Sequence, residues 1–97
     1  MNIVFEFVDK TGRKIRLTKE QWLKIRKKHP EVENEEIIKE TLEKPTKIRD
    51  HSYDESVYKF YKYYKNRPFP ENFLMVLVKY LNGDGFVIAA YFMDKID

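Results

Sequence analysis

The spacing of hydrophobic residues predicts a β-hairpin near the start of the chain. Ile3–Val8 is a short run rich in β-branched and aromatic residues, and residues 13–17 alternate between polar and apolar positions. Between them, Asp9–Gly12 has the composition of a turn, because Asp and Gly tolerate the backbone angles that tight turns require. The two runs are therefore expected to pair as neighbouring strands.

A helical spacing replaces this alternation at Thr18. The sequence Thr-Lys-Glu-Gln that starts there fits a capping box, in which the Thr18 hydroxyl and the Gln21 amide each bond a backbone group at the helix start. Pro30 ends this helix, because proline cannot continue the backbone hydrogen-bond pattern. The stripe on one side of the first helix consists of Trp22, Ile25 and His29.

A second helix is predicted between Asn34, which can cap its start, and Pro45, which terminates it. The glutamates in its first turn suit the positive end of the helix dipole. Its apolar side, which is expected to pack on the rest of the molecule, consists of Ile37, Ile38 and Leu42.

After the second helix the spacing returns to that of strands. Residues 46–50 form a short candidate strand, and Val57–Tyr64 is rich in residues that favour strands. Phe73–Leu81 is almost continuously apolar, which is typical of a central strand. Asn82–Gly85 is a strong hairpin sequence, and Phe86–Met93 returns as its partner strand.

This order of elements predicts an α+β fold. We expect one domain over residues 1–97, with an N-terminal hairpin and two helices packed on one face of a curved antiparallel sheet. The opposite face is expected to be open to water or to a ligand. The chain has no cysteine, which excludes disulfides, a thiol nucleophile and thiolate metal sites. Its two histidines cannot form a structural zinc site alone, so neither a metal nor a cofactor is expected.

The charge of the chain is unevenly distributed. The net charge is +3, but residues 10–28 hold nine cations against one glutamate, and residues 31–43 hold six glutamates against one lysine. One interpretation is that the positive segment binds a polyanion such as RNA. The alternative is that both segments are ordinary helix faces exposed to solvent. The chain starts without a signal peptide and contains no membrane span, so a cytoplasmic location is expected.

The segment from Val57 to Arg67 mixes aromatic residues with cations. As a strand it places cations and aromatic rings on both faces, whereas an ordinary amphipathic strand would keep its lysines on the wet side. Aromatic rings can stack on bases and cations can contact phosphates, which favours single-stranded RNA over a duplex. Pure packing is an equally weighted interpretation, since tyrosine is common in strands. The predicted RNA-binding residues are Tyr58, Lys59, Tyr61, Lys65 and Arg67.

The remaining candidate chemistry is acid–base catalysis without a metal. The chain has no glycine-rich phosphate loop, no paired metal motif and no nucleophile elbow. His29, at the end of the first helix, has a side chain suited to proton transfer near neutral pH, although a histidine there can also serve only as a cap. Lys79 is an unexpected cation in an apolar strand, where it either extends its amine to solvent or lines a site.

Three stretches, LTKEQWLKIRKKHPEV, IIKETLEKPTKIRD and GFVIAAYFMDKI, resemble the phage-associated group of the barnase–EndoU–colicin–RelE ribonuclease superfamily. The resemblance covers nearly the whole chain after the first hairpin. It implies a barnase- or RelE-like fold and metal-independent RNA cleavage on the free face of the sheet. The His-Pro-Glu signature of that group corresponds to His29, Pro30 and Glu31. The last strand of the group commonly carries a hydroxyl residue where this chain has Ala89, and Tyr91 on the same strand face is the candidate substitute.

These observations predict a metal-independent endoribonuclease, in a toxin-like role, that cleaves RNA by attack of the ribose 2′-hydroxyl. The alternative is a non-catalytic RNA- or protein-binding module of the same fold. Expected partners are RNA, an antitoxin or inhibitor protein and, through free strand edges, a second copy of the chain. The catalytic hypothesis requires His29 and the amines of Lys62 and Lys79, which belong to the later strands, to surround one solvent-accessible hollow. Its predicted catalytic residues are His29, Lys62, Lys79 and Tyr91.

Overall fold

A computed structural model describes residues 2–9, 12–51, 53–68 and 70–96 of the chain. It confirms the α+β class, with six strands and two helices that follow the predicted order. Two residues of the predicted first turn, Lys10 and Thr11, lie outside the described residues. The elements are β1 (Ile3–Val8), β2 (Lys14–Thr18), α1 (Lys19–Lys28), α2 (Glu35–Glu43), β3 (Lys47–Asp50), β4 (Val57–Tyr63), β5 (Phe73–Leu81) and β6 (Asp84–Met93).

The six strands form one mixed sheet in the order β1-β2-β6-β5-β4-β3. Four neighbouring pairs are antiparallel, but β2 and β6 run parallel, so the prediction of an entirely antiparallel sheet is wrong at that pair. Each hairpin fixes the direction of its own two strands through its turn. The relative direction of β2 and β6 depends on how two separate hairpins dock, and no local pattern specifies it.

The hairpin between β5 and β6 forms as its sequence predicts. Asn82 and Gly83 both adopt positive φ angles, of 54° and 85°, which a two-residue turn of this kind requires. The pairing of β5 with β6 then shifts register between Leu77 and Val78, which leaves Ile88 as an extra residue in β6. Because of this bulge, Val87 and Ala90 both face the helices although they are three positions apart.

The parallel contact between β2 and β6 is short. Within the described part of the chain, these strands pair only between residues 14–16 and 84–86, after which β2 ends and α1 begins. Beyond residue 86, the edge of β6 that faces away from β5 is therefore next to α1 and not next to a strand. The Gln21 side chain of α1 donates a 2.7 Å hydrogen bond to the carbonyl oxygen of the bulge residue Ile88. A helix side chain thus caps part of an otherwise free strand edge.

Both helices start at the predicted caps. Thr18 Oγ1 accepts a hydrogen bond from the Gln21 backbone N–H, and Asn34 Oδ1 accepts one from that of Ile37, both at 3.2 Å. The reciprocal half of the predicted capping box is wrong, because the Gln21 amide binds the Ile88 carbonyl instead. In the described segments, no helix is both long and apolar enough to cross a membrane.

The core lies between the helices and one face of the sheet, which we call the helix-bearing face. α1 packs against β6, β2 and β1, and α2 packs against β5 and β4. Burying each large apolar side chain contributes about 1.5–3 kcal/mol to folding. The side chains buried there include Ile15, Leu17, Ile25, Val32, Ile38, Leu42, Phe60, Leu74, Val76, Val78, Ala90 and Phe92.

The opposite face of the sheet, which we call the open face, is less exposed than expected. Strand register places Lys59, Tyr61, Met75 and Lys79 on this face. Tyr61 nevertheless has 0% and Met75 only 2% of its surface exposed. The open face is therefore a surface with buried positions along its centre and accessible ones around them.

Candidate functional site

A cleft of about 580 Å³ lies between the C-terminal half of α1 and the edge of β6. We call it the α1–β6 cleft. Among the described residues that line it, the charged side chains are lysines, and the other ionisable side chains are a histidine and a tyrosine. No described lining residue is a carboxylate. Its principal lining residues are Lys24, Lys27, Lys28, His29, Ala89 and Tyr91.

Helical spacing brings this set together on the α1 side. Lys24 and Lys28 are four residues apart, and Gln21 precedes Lys24 by three, so these side chains share one face of the helix. Ile25 is buried in the core and fixes the rotation of α1 against the sheet. His29 follows as the C-cap, and its backbone N–H donates a 2.7 Å hydrogen bond to the Ile25 carbonyl oxygen.

The imidazole of His29 is held between a carboxylate and an aromatic ring. Its Nδ1 lies 3.5 Å from Oε2 of Glu31. Its ring stacks on that of Tyr91, with centroids 5.0 Å apart and planes inclined by 30°. A carboxylate beside Nδ1 orients the ring, so Nε2 is the nitrogen that is available to a substrate. The side chain of His29 remains 33% exposed, so a substrate can reach it.

Tyr91 and Ala89 supply the strand side of the cleft. They pair with Met75 and Leu77 of β5, so both belong to the open face of the sheet. The position at which the family resemblance implies a hydroxyl therefore carries only a methyl group. Tyr91, two positions further along the same strand face, brings a phenol against the ring of His29.

The predicted meeting of Lys62 and Lys79 with His29 is wrong. Strand alternation places Lys62 on the helix-bearing face, where its Nζ donates a 3.0 Å hydrogen bond to the carbonyl oxygen of Lys44 at the end of α2. Lys79 pairs with Val57 and lies on the open face. The two amines are thus on opposite sides of the sheet, and neither lines the α1–β6 cleft.

Lys79 has a structural partner instead. Its Nζ lies 3.2 Å from Oδ2 of Asp54, in the segment before β4. Hydrogen bonds from the side chain and backbone of Ser56, and then from Lys79, lower the pKa of Asp54 from 3.8 to about 2. Lys79 is also four positions along β5 from Met75, the partner of Tyr91, which corresponds to about 13 Å at 3.3 Å per residue.

The predicted RNA-binding tyrosines are not positioned for base stacking on the open face. Tyr61 is fully buried, which excludes a base from its ring. Tyr58 lies on the helix-bearing face, with its ring 5.6 Å from that of Tyr80 at an angle of 88°. The accessible open-face ring is that of Tyr63, which is 51% exposed and packs edge-on against Phe73 at 5.4 Å.

The predicted cations divide in the same way. Arg67 places its guanidinium carbon 4.0 Å from the ring centre of Phe92, a residue of the helix-bearing core. Lys65 is exposed in the turn after β4. Lys59 lies on the open face, directly opposite Arg49 of β3 in an antiparallel pair.

A small basic patch on the open face was not predicted. Besides Arg49 and Lys59, it contains Lys47, which pairs with Tyr61 and therefore shares their face. None of the three forms an ion pair with a residue that the structure describes. Like charges opposite each other in a sheet are destabilising, so an anion that binds there would relieve the repulsion.

Sequence reasoning also missed the lysines that accompany His29. Lys24, Lys27 and Lys28 entered the prediction only as part of a basic segment. Their spacing relative to His29 was a usable signal, because residues one, two and five positions before a helix cap lie near the same helix end. What the sequence did not specify is that this end of α1 faces a strand edge.

Comparison of this chain with protein-family models, with curated proteins and with solved structures finds no match. The ribonuclease family resemblance therefore stays a prediction, and the geometry of the cleft is the basis for a functional assignment. Within the described ranges, no group of three His, Cys, Asp or Glu side chains could hold a metal ion.

Proposed function

We propose that this protein is a metal-independent endoribonuclease whose active site is the α1–β6 cleft. This active site differs from the one that the sequence predicts, because Lys62 and Lys79 do not reach His29 and lysines of α1 take their place. The observation that carries the proposal is the environment of His29. Its imidazole is partly exposed, oriented by Glu31, stacked on Tyr91 and surrounded by lysines in one cleft. This combination provides a proton acceptor, a second proton-bearing group and positive charge for a phosphate.

The chemistry follows from these groups. Nε2 of His29 removes the proton from a ribose 2′-hydroxyl, and the resulting oxygen attacks the adjacent phosphorus. The bond from phosphorus to the 5′-oxygen breaks, and the Tyr91 phenol donates a proton to that leaving oxygen. The products are a 2′,3′-cyclic phosphate and a free 5′-hydroxyl. Lys24 and Lys28 stabilise the additional negative charge that develops on the phosphate oxygens.

The open-face patch extends this site into a path for a single strand. β4 and β6 are two strands apart, or about 10 Å at 4.8 Å per strand, which about three nucleotides can span. Lys59 and Arg49 would contact phosphates, and the exposed ring of Tyr63 would stack on a base. This arrangement favours single-stranded RNA over a duplex.

We also propose that the protein has a barnase- or RelE-like fold. In this proposal it acts in a toxin-like role and is held by an inhibitor protein. Two helices on one face and a basic patch on the other agree with what the family resemblance implies. A homodimer formed by pairing two β3 edges is disfavoured, because Lys47 and Arg49 would place like charges in that interface.

A second candidate function is RNA binding without cleavage. Ala89 favours it, because the cleft lacks a hydroxyl at the position where the resemblance implies one. The basic patch of the open face and the lysines of the α1–β6 cleft would bind RNA. His29 would then serve only as the helix cap and as the stacking partner of Tyr91.

The decisive experiment is incubation of the purified protein with end-labelled single-stranded RNA in excess EDTA. We expect fragments that end in a 2′,3′-cyclic phosphate, and no cleavage of the same sequence made as DNA. His29→Ala should reduce the rate by about 10²–10⁴-fold, the usual contribution of a positioned acid–base group. His51→Ala is the matched control, because it removes the other histidine of the chain, and should cleave normally.

Three results would contradict the proposal of a ribonuclease that uses His29. Intact RNA that still binds, with an affinity that falls steeply as salt rises, would establish the binding module instead. Equal cleavage by wild type and His29→Ala would place the chemistry elsewhere. RNA that neither binds nor breaks would reject both candidate functions.

A further inference from the structure

A second cleft, of about 750 Å³, lies on the helix-bearing face and shares no lining residue with the α1–β6 cleft. It forms because α2 ends at Glu43 while α1 packs over β6 and β2. The ends of β4 and β5 that extend beyond α2 therefore have no helix over them, although Phe60 and Tyr80 are only 6% and 8% exposed. We call this cavity the aromatic cleft, after the side chains that form its walls.

Aromatic rings from three strands form these walls. Phe7 of β1, Tyr58 and Phe60 of β4, and Tyr80 of β5 all line the cleft, and Tyr58 meets Tyr80 edge-on. Ile48 at the rim is 46% exposed. Cavities of this volume with mainly apolar walls and a few polar groups are typical of small-molecule sites. Rings at right angles favour a flat ligand, which can stack on one ring and meet the edge of another.

The polar groups of the cleft define the complementary chemistry. The hydroxyl of Tyr80 lies 3.4 Å from Oδ2 of Asp9, longer than the usual 2.7–2.8 Å of such a hydrogen bond. Burial, and then the charge of Asp9, raise the pKa of Tyr80 to about 12, so the hydroxyl keeps its proton. A ligand with an acceptor atom can therefore receive a shorter hydrogen bond from Tyr80 than Asp9 does.

The charges of the described residues that line the cleft balance. Arg13 stacks over Tyr80, with its guanidinium carbon 4.0 Å from the ring centre, and lines the cleft together with Asp9. Glu43 and Lys44, at the end of α2, also line it with opposite charges. Two acidic and two basic side chains favour a neutral ligand over a strongly charged one.

We infer that the aromatic cleft binds an uncharged, planar aromatic small molecule of one or two fused rings, with an acceptor atom directed at the Tyr80 hydroxyl. This inference does not depend on the proposed ribonuclease activity, because the two clefts share no lining residue. The ligand site would add a second function to the same small domain.

The test uses two bicyclic probes of similar size. Quinoline is neutral near pH 7 and carries a ring nitrogen that accepts a hydrogen bond, whereas indole carries a donor instead. Titration of the ¹⁵N-labelled full chain with each probe is followed by amide chemical shifts. We expect saturable quinoline shifts at Phe7, Leu42, Ile48 and Tyr58, with those of His29 and Tyr91 unchanged, and weaker binding of indole.

Two variants locate the binding. Tyr80→Phe keeps the ring and removes the hydroxyl, and should weaken quinoline about fivefold with little effect on indole. Tyr63→Phe, the matched control, removes an exposed hydroxyl on the open face and should change neither. Ile48→Lys places a charge at the exposed rim and should weaken both probes, while an unchanged amide spectrum outside the cleft verifies the fold.

The inference is overturned by any of three results. These are the absence of saturable shifts up to the solubility limit of quinoline, shifts centred on the α1–β6 cleft, and equal quinoline affinity in Tyr80→Phe and wild type. His29→Ala should bind quinoline normally, so failure of the ligand site and failure of the ribonuclease proposal give different results.

Discussion

The two clefts lie against the same sheet but have walls of different chemistry. The α1–β6 cleft is formed at a strand edge, and one of its walls is the outward surface of a helix, where lysines keep their charged ends in water. The aromatic cleft lies over a strand face, and its walls are side chains that strand alternation directs toward the core. The described charges of the α1–β6 cleft are therefore all positive, whereas those of the aromatic cleft are of both signs and accompany aromatic rings.

This difference gives the clefts different sensitivities to mutation. The residues of the α1–β6 cleft that we propose to act on RNA are partly exposed, so removing them should alter function more than stability. The walls of the aromatic cleft belong to the core, so changes there should alter stability as well. Substitutions in and around each cleft test whether function and stability respond separately.

Gly85→Ala should damage the aromatic cleft and leave the other cleft intact. A Cβ at this position would lie 2.9 Å from Cε1 of Tyr80 and 3.0 Å from Cγ1 of Val78, closer than packed atoms tolerate. We expect a loss of about 1–3 kcal/mol in the free energy of unfolding, measured by urea denaturation, and weaker quinoline binding. Ala89→Ser adds one heavy atom to the same strand in the α1–β6 cleft and should stay within about 0.5 kcal/mol of wild type.

Removing Lys24 and Lys28 together should weaken RNA binding with little loss of stability. Each phosphate contact contributes about 0.7 to the slope of log affinity against log salt, so the double alanine variant should lower the slope by about 1.4. Affinity at 0.15 M salt should fall about tenfold, as measured by filter binding. The variant Lys39→Ala with Lys44→Ala has the same net charge and should retain its affinity. Equal losses in both variants would mean that only overall charge matters.

Lys62→Ala should affect stability alone. Its amine caps the C-terminal end of α2 through the Lys44 carbonyl, where a positive charge is favourable. The loss should be about 0.5–1 kcal/mol in urea denaturation, because the side chain is partly exposed. RNA cleavage should be unchanged. If Lys62→Ala lost more RNA cleavage than its loss of stability accounts for, Lys62 would have to act in the active site.

Protonation of Asp54 should make the stability of the fold fall slightly in acid. The pKa of Asp54 is lowered from 3.8 to about 2 in the folded protein, so its ionised form favours folding. This contribution is complete above about pH 4 and is lost as the pH falls toward 2. Thermal melts of Asp54→Asn should lack this part of the acid dependence, and RNA binding at neutral pH should stay the same. An identical acid profile in the variant would contradict the assignment.

The local structure of this chain follows from its amino-acid sequence. Alternation, strand-favouring residues and one continuous apolar run identified the strands. Thr18 and Asn34 capped the helices, and Asn82 with Gly83 formed the last hairpin. These features depend on neighbours within a few residues, so a short window of sequence contains what is needed to predict them. His29 was identified for a similar reason, since its place at a helix end follows from Pro30 and from the helical spacing before it.

The contacts between residues that are distant in sequence depend on how the whole fold packs. The parallel pairing of β2 with β6, its end after three residue pairs and the bulge at Ile88 together create the edge where His29 meets Tyr91. Burial of Tyr61 and the separation of Lys62 from Lys79 also follow from packing and register. Such outcomes depend on the summed free energy of contacts between distant segments, which the spacing of residues within one segment does not specify.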